Sequence, residues 1–160
     1  MKISETFISE LKREIAITRP FLEAVPEGLA WKPHAKSMAM DRLAAHIAEI
    51  PGWTSFILEH PELDFNQSDY VPKTYNHQQL LQVFDDNAAH ALAVLSNTAD
   101  EIYDQNWTMR QGEIIFFTTP KLEVMRTWVM NHLVHHRAQL GMYLRLNDIA
   151  VPATYGPSAG

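Results

Sequence analysis

Apolar residues recur at alternating steps of three and four along four long stretches of the chain, the spacing that lines one face of a helix with 3.6 residues per turn. Phe7, Ile8, Leu11, Ile15 and Leu22 mark the first, predicted over residues 4 to 24 with Ser4 as its cap and Glu5 placed where the helix dipole favours an acid. Pro20 lies inside that pattern, where it removes a backbone donor and crowds the carbonyl of Ala16, so a kink or an early end near residue 19 is expected. Ala39, Leu43, His46, Ile50, Trp53 and Ile57 mark the second, over about residues 38 to 60, with Ser37 as cap and a bend at Pro51. The third opens at Asn76, which pairs with Gln79 as a capping box, and carries Leu80, Phe84, Ala88, Ala91 and Leu95 to about residue 98. The fourth, residues 121 to 147, carries Leu122, Met125, Val129, His132, His136, Leu140 and Tyr143.

Between these stretches the periodicity stops. Residues 26 to 37 hold two prolines and a glycine and read as a loop that Trp31 anchors on the helices, while residues 61 to 75 are rich in turn formers and read as a second connection long enough to cover one bundle end. Between Ala99 and Pro120, Trp107–Arg110 and Glu113–Thr118 flank Gly112 like a short hairpin, which needs the helices behind it because two strands alone are marginal in water. The pattern as a whole predicts one domain over residues 1 to 160: an all-α four-helix bundle, with a small hairpin before the last helix.

Two of the seam positions in the fourth helix are histidines. His132 and His136 stand one turn apart, the i, i+4 geometry in which two imidazoles can converge on one ion, and His46 occupies a seam position in the second helix between Leu43 and Ile50. A buried neutral imidazole has a donor and an acceptor to satisfy, and a shared metal satisfies several at once. The competing account makes the three ordinary core histidines bonded to backbone or water. His135 leaves the register open, since it lies about 60° from His132 on the other side, although the stripe favours His136 and leaves His135 near the ligands or at the surface. Glu49 and Gln139 are candidates to orient ligands or substrate, because metal-bound imidazoles usually donate their second N–H to such a group. Tyr143 is read as core or pocket lining, and His34, His60, His77 and His90 as surface residues. Arg137 and Arg145 fall off the stripe and read as solvated or dimer-facing charges; Trp128 and Val124 form a second apolar stripe for the hairpin or another subunit to bury.

Composition narrows the chemistry. The chain has no cysteine, so imidazole and carboxylate are the only strong metal donors, and any thiol chemistry must draw its thiol from a cosubstrate. Three imidazoles leave a metal with open positions, the layout of a catalytic site, with zinc the first choice and nickel or iron also compatible. The His132–His136 spacing resembles the zinc-protease HExxH motif, but Leu133 stands where that motif needs its glutamate base, which excludes a metalloprotease of that class. A net charge of -6 with only 13 Lys and Arg argues against a phosphate-tracking nucleic-acid binder. No stretch approaches the roughly 18 apolar residues of a membrane span, and the cytoplasm is the expected compartment.

The segments Leu43-Ala-Ala-His-Ile-Ala-Glu-Ile-Pro-Gly-Trp53, Asn131-His-Leu-Val-His-His-Arg-Ala-Gln-Leu140 and Tyr155-Gly-Pro-Ser158 together resemble the DinB family of metalloenzymes, nearly along the whole chain. The most specific part is the late His-x-x-x-His-Arg-x-Gln pattern, matched by His132, His136, Arg137 and Gln139. The resemblance implies a four-helix bundle, often a homodimer, with a divalent metal held by His46, His132 and His136. It also implies the chemistry of thiol-dependent S-transferases and isomerases that use bacillithiol or mycothiol. The family name refers to induction by DNA damage and carries no implication of DNA binding. Two functions are therefore expected as alternatives: a metal-dependent enzyme that activates a thiol or water against a small electrophile, and a stress-related protein that holds a metal or ligand without chemistry.

Overall fold

A computed structural model describes residues 2–159, which are mostly helical with one small sheet. Helix α1 runs from Ile3 to Glu23, and Phe7, Leu11, Phe21 and Leu22 are its buried apolar residues. Ser4 is not its cap: it lies inside the first turn and is buried. The first free N–H groups are satisfied by acids instead, Lys2 N–H by Glu5 at 3.1 Å and Ile3 N–H by Asp100 at 3.1 Å. Pro20 does not end the helix early; the chain stays helical to Glu23, and Ala24 N–H bonds the Pro20 carbonyl at 3.1 Å.

The second stretch is two helices. Helix α2 spans Met40–Glu49, a 3₁₀ turn takes Ile50–Gly52, and helix α3 spans Trp53–Glu59. Pro51 is the cause, since it cannot donate to the carbonyl of Ile47 and the tighter turn absorbs the lost bond. Ala39 rather than Ser37 occupies the cap of α2, and Ser37 N–H closes a turn onto His34. Helix α4, His77–Asn97, starts with the expected reciprocal pair: Gln79 N–H donates to Asn76 Oδ1 at 2.8 Å and Asn76 N–H to Gln79 Oε1 at 3.2 Å.

The last helical rod joins helix α5, Lys121–Val124, to helix α6, His132–Leu146, through a π-helical segment at Met125–Asn131. A π-helical stretch repeats every five residues rather than four, and the buried pairs Val124/Val129 and Met125/Met130 keep that step. The rods close a ring in which α1 packs on α4, α4 on α2, α2 on α6 and α6 on α1. Phe7, Leu11, Leu43, Ile47, Phe84, Val129 and Leu133 meet inside it, each large apolar side chain contributing about 1.5–3 kcal/mol by leaving water.

The hairpin is present and larger than its sequence suggested. Strands β2, Asn106–Gln111, and β3, Ile114–Pro120, pair antiparallel around Gly112, and strand β1, Glu62–Asp64, adds parallel to β2 with Leu63 opposite Met109. Gly112 takes φ +58°, and a Cβ there would stand 2.7 Å from Asn66 Nδ2, so both conformation and space call for glycine. Trp107 is fully buried with its ring 6.4 Å from Phe56 on α3, and Phe117 stacks on Trp128, so the sheet covers the second apolar stripe of the last rod. No helix among the described residues is long and apolar enough to cross a membrane.

Candidate metal centre and its cleft

Helix α2 carries His46 to α6, and the small buried residues Ala44, Ala45 and Ala48 on either side let the backbones approach closely. His132 and His136 meet it from α6, immediately after the π-helical segment, a feature often found beside functional sites. The three rings form a nearly equilateral group, with centroids 4.9 Å apart for His46 and His132, 4.7 Å for His46 and His136, and 4.6 Å for His132 and His136. One ring nitrogen of each lies within 4.8 Å of those of the other two, a cluster that could hold a metal ion. The Nε2 atoms of His46 and His132 are 3.1 Å apart, close to the about 3.3 Å that separates two ligands of one tetrahedral ion with bonds near 2.0–2.1 Å.

The other ring nitrogens fix the tautomers. His132 Nδ1 lies 3.2 Å from the Trp128 carbonyl and His136 Nδ1 2.7 Å from Gln139 Oε1; both oxygens only accept, so each Nδ1 carries the proton and each Nε2 presents a lone pair to the cluster. All three rings are half-buried, and all three titrate below the ordinary imidazole range. Burial is the leading cause in each case; for His46, the proximity of His136, His132 and Arg42 adds to it and brings the ring down to about 3. The imidazoles are therefore neutral at neutral pH, the state a metal requires. Donor type, spacing and tautomer all suit a borderline transition metal.

A cleft of about 460 Å³ opens on this cluster, lined by His46 and His132 at one end and by Trp53, Phe56, Leu63, Phe65 and Trp128 along its walls. The α2–α3 turn, the β1 segment and the last rod thus each supply a side of it. Glu49 and Tyr70 stand among its lining residues.

The sequence profile of the DinB family matches residues 1–159. The chain belongs to the DinB family. Among solved structures it is similar to a DinB-like protein from Bacillus subtilis, at 16% identity and a TM-score of 0.72, with 96% of this chain and 99% of that one covered. It is also similar to a DinB-like protein from Bacillus cereus, at 21% identity and a TM-score of 0.69, with 94% of this chain and 97% of that one covered. These two likenesses concern the fold. No curated protein matches the chain.

The residues that carry the DinB pattern divide between two places. His132, His136 and Gln139 belong to the cluster, whereas Arg137 turns inward on the adjacent face of α6 and is 2% exposed, which corrects its reading as a solvated or dimer-facing charge. Its Nη1 donates to Glu14 Oε2 at 2.6 Å and to Thr18 Oγ1 at 3.1 Å, and its Nη2 to the Tyr155 hydroxyl at 2.7 Å; that hydroxyl in turn donates to Glu14 Oε2 at 2.8 Å. A buried guanidinium needs a paired carboxylate, and α1 supplies it while the C-terminal tail completes the group. Arg145 stays exposed and donates to the Ala159 carbonyl.

The remaining candidates fall at unequal distances from the chemistry. Glu49 lines the cleft, but its carboxylate is taken by the hydroxyls of Tyr70 at 2.8 Å and Tyr75 at 3.2 Å and by Arg42 at 3.1 Å, and it bonds none of the histidines. His135 is exposed, with its ring centroid 4.9 Å from that of His136. Tyr143 is buried away from the cleft, its hydroxyl donating to the Met38 carbonyl at 3.1 Å and its ring edge-on to Trp31. His34, His60 and His90 are exposed and His77 half-buried. Sequence reasoning missed Arg42, Tyr70 and Tyr75, because they meet only when the 61–75 connection folds back onto α2.

Proposed function

We propose that this DinB protein is a metal-dependent enzyme in which His46, His132 and His136 hold one divalent transition metal, zinc first among the choices and nickel or iron also compatible. The observation that carries the reading is the convergence of three neutral imidazoles, two with their far nitrogens tied to carbonyls, beside an open cleft. A metal so held supplies acidity to a bound thiol or water, lowering its pKa toward neutrality, and polarises an electrophile. The chain does the rest: Gln139 and the Trp128 carbonyl keep two rings aimed at the cluster, and the cleft walls position the electrophile. With no cysteine in the chain, the thiol is a low-molecular-weight cosubstrate.

The test is turnover by purified protein of a panel of small electrophiles with a low-molecular-weight thiol, beside His136→Ala. Turnover that disappears in the variant while its circular dichroism is unchanged supports the reading; equal rates in both contradict it.

One observation favours the second reading, a protein that binds a metal or ligand without chemistry. Glu49, the cleft's one carboxylate among its lining residues, is already engaged three ways and is no free base. Cobalt-substituted protein discriminates: a visible spectrum that shifts on adding thiol indicates an exchangeable position and the enzyme, and one that no thiol perturbs indicates the binding protein.

A further inference from the structure

Residues 66–75, which lead from β1 toward α4, have no regular secondary structure, and none of them is buried. Tyr75 alone among them packs against the core, while Tyr70 and Val71 are 55% and 66% exposed. The two ends are fixed: Asp64 Oδ1 accepts the Asn66 N–H at 3.0 Å, and the Asn76–Gln79 capping pair starts α4. Between them, every hydrogen bond from residues 68–75 to the rest of the described residues goes to two side chains of α2. Arg42 donates from Nη1 to the Lys73 carbonyl at 3.1 Å and from Nη2 to the Tyr70 hydroxyl. Glu49 accepts from the hydroxyls of Tyr70 at 2.8 Å and Tyr75 at 3.2 Å, and Arg42 holds it in place at 3.1 Å.

We propose that residues 66–75 are a movable wall of the cleft, latched to α2 by Arg42 and Glu49, and that the latch sets the size of the molecule that reaches the histidines. The inference deepens the proposed function, on which it rests for what the cleft admits. Ser68 and Tyr70 belong to the lining of the cleft that also holds His46 and His132, so displacing this segment changes the cleft's width. Glu49 lies three residues after His46 on the same short helix, and latch and cluster therefore share one rigid element. A static loop is held by burying apolar side chains; here the attachment is polar. The Arg42 and Glu49 side chains are 17% and 14% exposed, within reach of water that can replace each hydrogen bond as it breaks. Release costs the core nothing beyond the half-buried Tyr75. Glu49 is thus a positioning residue that acts through the two tyrosines.

The latch is tested with the full chain and no metal or substrate, comparing the unaltered protein with Tyr70→Phe/Tyr75→Phe. The Lys73 carbonyl held by Arg42 belongs to the bond that trypsin cuts after Lys73, so limited proteolysis reads release directly. Cleavage there is expected to be at least about tenfold faster in the variant, which loses three hydrogen bonds, while cleavage after the exposed Lys36 is unchanged. Width is read by Asn87→Cys, which puts one thiol on the cleft lining of a chain that has none. In that background the two tyrosine changes are expected to speed modification by fluorescein maleimide at least about tenfold and by the much smaller iodoacetamide less than about twofold. Glu49→Ala, which takes the acceptor from both hydroxyls, is expected to reproduce both effects. Unchanged cleavage after Lys73, a maleimide rate that does not rise, or an equal rise for both reagents overturns the inference. Protein that takes up no metal or turns over no electrophile, yet gives the expected cleavage and labelling, counts only against the proposed function.

Discussion

Helix α6 carries two polar groups of side chains on adjacent faces, and they obey different rules. On one face the buried Arg137, Glu14 and Thr18 and, from the surface, the exposed Tyr155 satisfy one another: the guanidinium has a carboxylate, a hydroxyl on each fork, and the Tyr155 ring at 5.5 Å. On the other, His46, His132 and His136 point one nitrogen each at the same small volume, with the protons held on the far side of two of the rings. The first group is closed and its removal is a matter of stability. The second pairs His46 Nε2 with His132 Nε2 at 3.1 Å but leaves the His136 Nε2 lone pair beside them, capacity that is left over until something electrophilic sits among the three. The contrast teaches how to tell a structural polar cluster from a site within one motif: count the hydrogen-bonding capacity left over.

If the contrast holds, mutations on the two faces separate stability from metal binding. The largest effect is Arg137→Ala, which strands the buried Glu14 carboxylate and is expected to cost about 3–5 kcal/mol of unfolding free energy in urea or guanidinium titrations. The double variant Arg137→Met/Glu14→Leu recovers most of that loss, because no unpaired charge remains. Next comes Gln139→Ala: with the His136 tautomer released, metal affinity drops about 10–100-fold in competition with a chelator, while the melting curve of the metal-free protein is unchanged. Tyr155→Phe removes the hydroxyl that bridges Arg137 and Glu14 and costs about 1.5 kcal/mol with no change in metal affinity. A Gln139 variant that loses stability, or a Tyr155 variant that loses metal, breaks the comparison.

A separate effect, outside that ranking, is one of pH. Folding depresses the His46 pKa from 6.5 to about 3, so the unfolded chain takes up a proton that the folded one refuses. Stability of the metal-free protein is therefore highest above pH 6.5 and falls as the pH drops from 6.5 toward 3; His132 and His136, shifted in the same direction, add to the slope. Chemical denaturation across that range is expected to show a shallower decline in His46→Ala than in the unaltered protein. An identical slope means that the three rings are more solvated than the structure shows.

Most of the helical architecture was legible because amphipathic periodicity is a local property, and the i, i+4 pair at His132 and His136 is equally local. The position of the core on the last rod was not. A constant step of three and four carried the seam from Val129 to His132, whereas the five-residue repeat of Met125–Asn131 sends the buried stripe through Met130, Leu133, Arg137 and Leu140. The histidines thus sit one residue beside the core, half-buried at a cleft, and Arg137 is inside. Strand β1 escaped for a different reason: three residues show no alternation, and their partner, β2, lies more than forty positions away. The same holds for Tyr70 and Tyr75, whose meeting with Glu49 is a tertiary event that no window of sequence contains.

The central claim is that the open cluster holds a metal, and the most direct test is elemental mass spectrometry on protein purified without tag or chelator, beside His46→Ala and His136→Ala. About one transition-metal ion per chain is expected, lost in both variants while their folded signal persists, since the two residues come from different helices and converge on one ion. No metal in the unaltered protein, even after reconstitution with zinc, nickel or iron, would contradict the account and return the three histidines to the fold.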